Sequence, residues 1–480
     1  MAHSRERNEG SAPAGTAPRR KRRKEEEQPP RQQQPIDTAA PAFNQYKGVR
    51  VGASGKLPVV DAATVLPEAF FRRFVARRCP CILQGSLPEI EGRAPGWWAP
   101  PRARQLEVQV EVRDGPADRF GRGRKRAMRF GELLDADSPN YYLTTQDVPD
   151  GQLCAPPLSA LEQPRELPTR PALLGTLVPQ SINLWLGRSA ALASSGLHHD
   201  FHDNLYVLLR GRKHFRLFSP ADAAWMYTHG ELARVHANGR INYVGHESTS
   251  ADGRTAADAA AEALRAAKRA QRATERELES AEEAMDEQRV AQAEDAMEDA
   301  MDAALGAKVA HRNALRRREA EEAAAAAASA AAEAEGLPPP PPPSFSQVPD
   351  LPAALVAGAD QTAHPLLHRA RVAEFDLHEG QMLYLPCGWF HEVWARPSRR
   401  VPSPDCARPH SCRIGHVRAR AHTHTVCLYR SAREQVSSQG AHAALNYWFH
   451  PPDQPDYAAP YSAGGFWERE AKQHEGKRRC

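Results

Sequence analysis

Residues 256–335 consist almost wholly of Ala, Glu, Arg and Asp, with almost no β-branched or aromatic side chain. They separate two stretches of opposite character. Upstream, Leu106–Val112 alternates as LEVQVEV, the period of a half-buried strand, and Tyr141–Thr145 is β-branched and aromatic. Cys81–Leu83, Ser181–Gly187 and Ile241–Val244 also read as short strands, and Leu66–Ala76 as a helix. Downstream, Arg371–Leu377, Gln381–Leu385 and Ala443–Phe449 again have strand character. The middle tract has near-maximal helix propensity, and Gly336 with Pro338–Pro343 stops it and adds a stiff polyproline piece. Leu is too sparse there for a heptad seam. The expectation is a solvated charged helix, or a pair of helices, rather than a coiled coil. Neither 181–250 nor 345–450 has enough strands to close a sheet structure alone. The chain therefore reads as one mainly β domain, 43–250 and 346–453, interrupted by a helical and polyproline insert at 251–345. Many short strands with few helices argue a barrel or double-sheet jelly roll, with helices on its N-terminal side.

The ends and the charge bound the setting. Residues 1–42 are rich in Gln, Pro, Arg and Glu and read as a disordered tail, with the basic run Arg19–Lys24 suited to nuclear import or a nucleic-acid contact, or simply a solvated charge run. Residues 454–480 read as a polar tail. The formal charge of +4 is too modest to demand a nucleic-acid partner, and no nucleic-acid site is argued. Eight cysteines without a C-x-x-C pair fit a reducing compartment. No apolar run approaches the roughly 18–20 residues of a membrane span, and the N-terminus lacks a secretory apolar core. A nuclear or cytoplasmic protein is expected. Its oligomeric state is open, since the residues after Pro452 offer no obvious helical dimerisation pair.

The chemistry concentrates at Ser194–Phe218. His198 and Asp200 are two apart, so on a strand they point to the same face. That is half of a 2-His-1-carboxylate site, the arrangement that leaves positions open on iron(II). Leu205–Leu209 and His214–Phe218 follow as two apolar strands, joined by Arg210–Lys213 in a hairpin-like connection. His199 would point to the opposite face. His391, after a buried strand and between aromatics, is the choice for the third ligand. For any single histidine taken alone, a structural role is the better default.

Residues 194–220 and 380–394 together resemble the JmjC, cupin-like family of iron(II)- and 2-oxoglutarate-dependent oxygenases, and more closely its small hydroxylases. The resemblance covers roughly 43–250 and 345–453. It implies a double-stranded β-helix core whose H-x-D and distal histidine hold Fe(II), falling here on His198, Asp200 and His391. It also implies that Lys213 pairs with the distal carboxylate of 2-oxoglutarate, and that Ser195, Asn204, Tyr142 and Asn446 help to hold the co-substrate. Polar residues at such strand positions also occur simply to satisfy backbone groups.

The activity so implied is hydroxylation of a protein side chain, with 2-oxoglutarate converted to succinate and CO2. Demethylation of histone lysine by N-methyl hydroxylation is the alternative, a histone or other nuclear protein being the substrate. Against it, the chain shows no zinc-finger spacing and no second reader module. A non-catalytic cupin scaffold recruiting partners through its helical insert is the third reading. Residues 396–439 are Arg-, Ser- and His-rich and stand where the family has a short turn. They are either a loop beside the iron or retained non-coding sequence. The spacing of Cys406, His410, Cys412, His416, His422, His424 and Cys427 matches no familiar zinc module.

Overall fold

The computed structural model describes residues 43–113, 124–136, 138–188, 194–335, 340–349, 364–396 and 441–476. The basic run 19–24, the rest of the tail 1–42, and 397–439 lie outside the described residues.

Fifteen strands are described. They are β1 (Val59–Asp61), β2 (Cys81–Gln84), β3 (Glu107–Val112), β4 (Arg124–Arg129), β5 (Tyr141–Leu143), β6 (Pro179–Arg188), β7 (His198–His199) and β8 (Asp203–Arg210). Then come β9 (Arg212–Phe218), β10 (Leu232–Val235), β11 (Ile241–Tyr243), β12 (Val372–His378), β13 (Met382–Leu385), β14 (Phe390–Arg396) and β15 (Ala441–Phe449). A nine-stranded sheet runs β1-β2-β13-β8-β15-β6-β5-β3-β4 and faces a four-stranded sheet, β12-β9-β14-β7; β10 and β11 form a separate ribbon. Strands from before and after the helical tract alternate in both large sheets. This is the double-sheet jelly roll of a mainly β, cupin-type fold.

Period-two alternation explains why the central strands are apolar on both faces. On β8, Tyr206 and Leu208 point between the sheets with Phe215, Leu217, Leu383 and Leu385. Leu205 and Val207 point outward, with Met382, Tyr384, Leu445 and Tyr447. That outer face is covered by Phe70, Phe71, Phe74 and Val75 from the first helical segment, α1 (Pro67–Phe70) and the π-turn Phe71–Val75. A second short helix, α2 (Phe130–Asp135), follows β4 directly and buries Phe130 and Leu133 in the same core.

Three expectations change. First, β8 and β9 are not a hairpin. They belong to different sheets, β8 pairing with β13 and β15, and β9 with β12 and β14. Gly211, at φ +90°, turns the chain from one sheet to the other in a single residue, a conformation that side chains rarely adopt. Second, Leu232–Val235 is an unforeseen strand paired with β11. Third, the presumed polar tail 454–480 carries a helix after α3 and α4, α5 (Gly464–Gly476), whose Phe466 and Trp467 are buried in the core.

The Ala/Glu tract forms two helices, α3 (Ala256–Glu283) and α4 (Glu287–Ala334), packed side by side. Thr255 caps α3 in a reciprocal pair with Asp258. The seam buries Ala257, Ala281, Ala293 and Ala300 rather than leucines. Its root is tied to α5: Trp467 Nε1–H donates to Asp252 Oδ2 at 2.8 Å, and Arg469 pairs with Glu262.

A buried ion pair joins the remote pieces. Arg78 meets Asp203 through both terminal guanidinium nitrogens, Nη1 at 2.9 Å from Oδ2 and Nη2 against Oδ1. Asp203 also accepts from Tyr384 Oη–H at 2.7 Å and from the Cys387 N–H at 3.0 Å. Asp203→Asn leaves the buried guanidinium without its counter-charge. It is expected to lower the unfolding free energy by about 3–5 kcal/mol, read as a shift in the urea midpoint at unchanged slope.

Candidate metal centre

β14 is the strand on which the site is assembled. It pairs with β7 on one side, placing His391 opposite His198, and with β9 on the other, placing Ala395 opposite Lys213. His391, Val393 and Ala395 share the face turned between the sheets. His198 brings Asp200 with it, and the Asp200 carbonyl accepts from the Gly388 N–H at 2.9 Å, in the turn just before His391. Gly388 has φ +74°, and a Cβ there would collide with the Gly239 carbonyl oxygen. Glycine is required for that close approach.

His198, Asp200 and His391 each offer a ligand atom, and these atoms lie within 4.8 Å of one another. His391 Nε2 is 3.8 Å from Asp200 Oδ2, and the two imidazole centroids are 4.3 Å apart. The tautomers are set by the backbone. His198 Nδ1–H donates to the Gly196 carbonyl at 2.9 Å, and His391 Nδ1–H to the Trp389 carbonyl at 3.0 Å. A carbonyl can only accept, so both rings hold their proton on Nδ1 and present a bare Nε2. Burial pushes His198 down to about 4, the neighbouring His391 adds to this, and Asp200 opposes it. At neutral pH its ring is neutral, the form that binds metal. His199 does face away. Its Nε2 accepts from Tyr243 Oη–H at 2.6 Å, and burial lowers it to about 3.

Beyond the three ligands lies a pocket lined by Tyr142, Asn204, Lys213 and Asn446, all expected from sequence, and by Arg113, Trp185, Tyr206 and His442, which were not. Tyr206 was legible in principle, since it shares the parity of Asn204. Arg113 lies one residue past the LEVQVEV alternation, and nothing local marks it. Lys213 is buried, with Tyr142 Oη at 3.5 Å and the Tyr142 ring centroid at 5.6 Å. Burial lowers its pKa to about 7, and Arg113 lowers it further in the same direction. Burial raises Tyr142 and Tyr206. The side-chain oxygens of Asn204 and Asn446 are buried without a hydrogen-bond partner among the described residues. Ser195 also lines the pocket, but its hydroxyl is committed to the backbone, accepting from the Val393 N–H and donating to the Gly196 carbonyl, both at 3.0 Å. It holds β14 beside the ligand loop. His202 stacks on Trp448 and His214 bonds Asp376 and Glu374, so neither joins the site.

The model of the cupin-like domain family matches residues 67–455. The chain belongs to that family. A JmjC domain-containing protein 4 of Schizosaccharomyces pombe is 28% identical over 476 residues, covering 89% of this chain and 92% of that protein. The human bifunctional peptidase and (3S)-lysyl hydroxylase JMJD7 is 31% identical over 179 residues, 32% of this chain and 52% of that protein. The lysine-specific demethylase JMJ32 of Arabidopsis thaliana is 33% identical over 73 residues, 15% of this chain and 19% of that protein. The cupin-like match and these JmjC-domain relatives together support a place among the JmjC cupin oxygenases, a family that generally uses iron(II) and 2-oxoglutarate.

As a metal centre, the site predicts ligand-linked stability. Saturating Mn(II), at about 100 times its dissociation constant, is expected to stabilise the protein by about 2.7 kcal/mol. The gain should vanish in His198→Ala, Asp200→Ala and His391→Ala, as read by thermal melts.

Proposed function

We propose that this protein is an iron(II)- and 2-oxoglutarate-dependent dioxygenase that hydroxylates a side chain of another protein. The observation that carries it is the pair of histidines with backbone-fixed Nδ1–H groups. They converge with Asp200 at the end of a pocket whose far wall holds a buried lysine. Two imidazoles and one carboxylate suit iron(II) and leave positions open for a chelating co-substrate. Lys213 lies four residues farther along the paired strands, about 13 Å of backbone. A lysine side chain and a small dicarboxylate together can fill that gap.

His198, Asp200 and His391 would hold the iron. Lys213 would take the distal carboxylate of 2-oxoglutarate, with Tyr142 beside it and the amides of Asn204 and Asn446 supplying the free polar groups of the pocket. Iron(II) and 2-oxoglutarate, when bound, would supply the activation of dioxygen, the oxidant: one oxygen atom would end in succinate as 2-oxoglutarate loses CO2, and the other would enter a C–H bond of the substrate. The protein's own part is to orient the ligands, to neutralise the dicarboxylate and to exclude water. Support for a protein substrate comes from the relatives, one named for lysyl hydroxylation and one for lysine demethylation. The hydroxylase is matched over the longer stretch, and we infer hydroxylation that persists on the product.

The test is a peptide screen for turnover of 2-oxoglutarate to succinate, with products weighed by mass spectrometry. A stable product heavier by one oxygen, without formaldehyde, is expected. Formaldehyde release would make the protein a demethylase. Retained metal binding with no turnover on any substrate would make it a scaffold.

Lys213 makes the reaction pH-dependent in a defined direction. With its pKa lowered to about 7, the amine is charged below that pH and neutral above it. A bound dicarboxylate favours the charged form, so binding takes up a proton above pH 7. The affinity for 2-oxoglutarate is expected to fall by up to about tenfold per pH unit above 7, and Lys213→Met should bind weakly with no such slope. Calorimetry of the Mn(II)-loaded protein, repeated in buffers of different ionisation enthalpy, measures both.

A further inference from the structure

β7 is only two residues long and carries the first metal-ligand candidate at the margin of the four-stranded sheet. One side of it pairs with β14. The other would expose unpaired backbone groups beside the site, a weak support for a ligand. That side is instead occupied by Ser344–Ser346, which follow α4 and the prolines in the chain. The Ser346 N–H donates to the Leu197 carbonyl at 2.8 Å, and the His199 N–H to the Ser344 carbonyl at 3.3 Å. Phe345 stands directly opposite His198 in an antiparallel bridge. The segment is itself clamped from behind. The His229 N–H donates to the Phe345 carbonyl at 2.8 Å, the Gly230 N–H to the Pro343 carbonyl at 3.0 Å, and Ser346 Oγ–H to the Met226 carbonyl at 2.6 Å.

The Phe345 ring lies almost parallel to the His198 imidazole, with centroids 4.7 Å apart and planes 11° apart. The bond from His198 Nδ1–H to Gly196 fixes one direction of that imidazole but leaves it free to rock about the bond. A flat ring stacked on its face removes that freedom and keeps water from the face it covers. His391 has no such need, since it is held in mid-sheet between β7 and β9.

We propose that Phe345 is a positioning residue for the metal centre. Delivered by the returning limb of the helical insert, it fixes the plane of the His198 imidazole and thereby sets how tightly and how symmetrically the site holds a divalent metal. The helical insert is then part of the architecture of the site, since its exit segment backs the strand that carries His198. The inference rests on the reading of His198, Asp200 and His391 as metal ligands.

Cobalt(II) is the probe, titrated into the full chain and followed by its visible d–d absorption. Phe345→Leu keeps an apolar side chain of similar reach but removes the flat ring; Phe345→Tyr keeps the ring. The leucine variant is expected to weaken Co(II) binding about tenfold or more and to change the band shape, with the tyrosine variant within about twofold of wild type. The urea midpoint of the metal-free protein should be the same in all three. Wild-type affinity and spectrum in Phe345→Leu would overturn the proposal. So would equal weakening in Phe345→Tyr, because the effect would then not come from the ring plane. Wild-type protein that binds no Co(II), or binds it equally after His391→Ala, would overturn the metal reading itself and the proposal with it. Wild-type binding that is lost in His391→Ala but unaltered in Phe345→Leu separates the two failures.

Discussion

The Arg78–Asp203 pair is the interaction on which the geometry of the site depends. Asp203 is fully buried and the Arg78 side chain nearly so. Taking both charges out of water costs several kcal/mol per ion unless every donor and acceptor finds a partner. Here they do: burial works against the charge on Arg78, but Asp203 outweighs it and holds the guanidinium protonated. Asp203 uses its remaining capacity on Tyr384 and on the Cys387 N–H, while Arg78 Nε–H reaches the Asn238 carbonyl at 2.8 Å. The Arg78 carbonyl in turn accepts from Trp389 Nε1–H at 3.2 Å. One carboxylate, three residues after Asp200, thus ties the first helical segment to the turn that launches His391. The two halves of the metal centre are 191 residues apart in sequence and share this anchor.

Around that anchor the sheets need little more than alternation. Each inward position of β8, β9, β14 and β15 contributes either an apolar side chain to the inter-sheet core or a polar one to the pocket. Tyr206 and Asn204, Phe215 and Lys213, Val393 and His391, and Ala444 and Asn446 are such pairs. The strands can carry buried polar groups because their neighbours two residues away supply the burial that holds the sheets together. The pocket is the part of the inter-sheet space where polar residues replace the apolar filling. The side-chain oxygens of Asn204 and Asn446, without a partner among the described residues, lie there, and buried polar groups of that kind call for a ligand or water.

The helical pair illustrates a different economy. An eighty-residue tract with an alanine seam adds little to the domain's apolar core, yet its two roots are among the better-tied points of the chain. Asp252 and Glu262 hold the entrance to α5, and Ser344–Ser346 hold the exit to β7. Insertion between β11 and β12 leaves the jelly-roll pairing intact, because β12 returns to pair with β9 along its full length.

Much of this was legible locally. The alternation in LEVQVEV, the strand periods around His198 and His391 and the Ala/Glu tract are all short-range signals, and each became the element it suggested. The H-x-D spacing determined that two ligand types share a face. What the sequence could not determine was sheet membership. LYVLL and HFRLF, separated by one glycine turn, look like a hairpin, and only competition with distant β13, β14 and β15 sends them to different sheets. Phe345, Arg113 and Trp467 were missed for the same reason. Their roles come from partners far away in the chain, and the free energy that selects those partners is burial and register in the folded whole, which no local pattern carries.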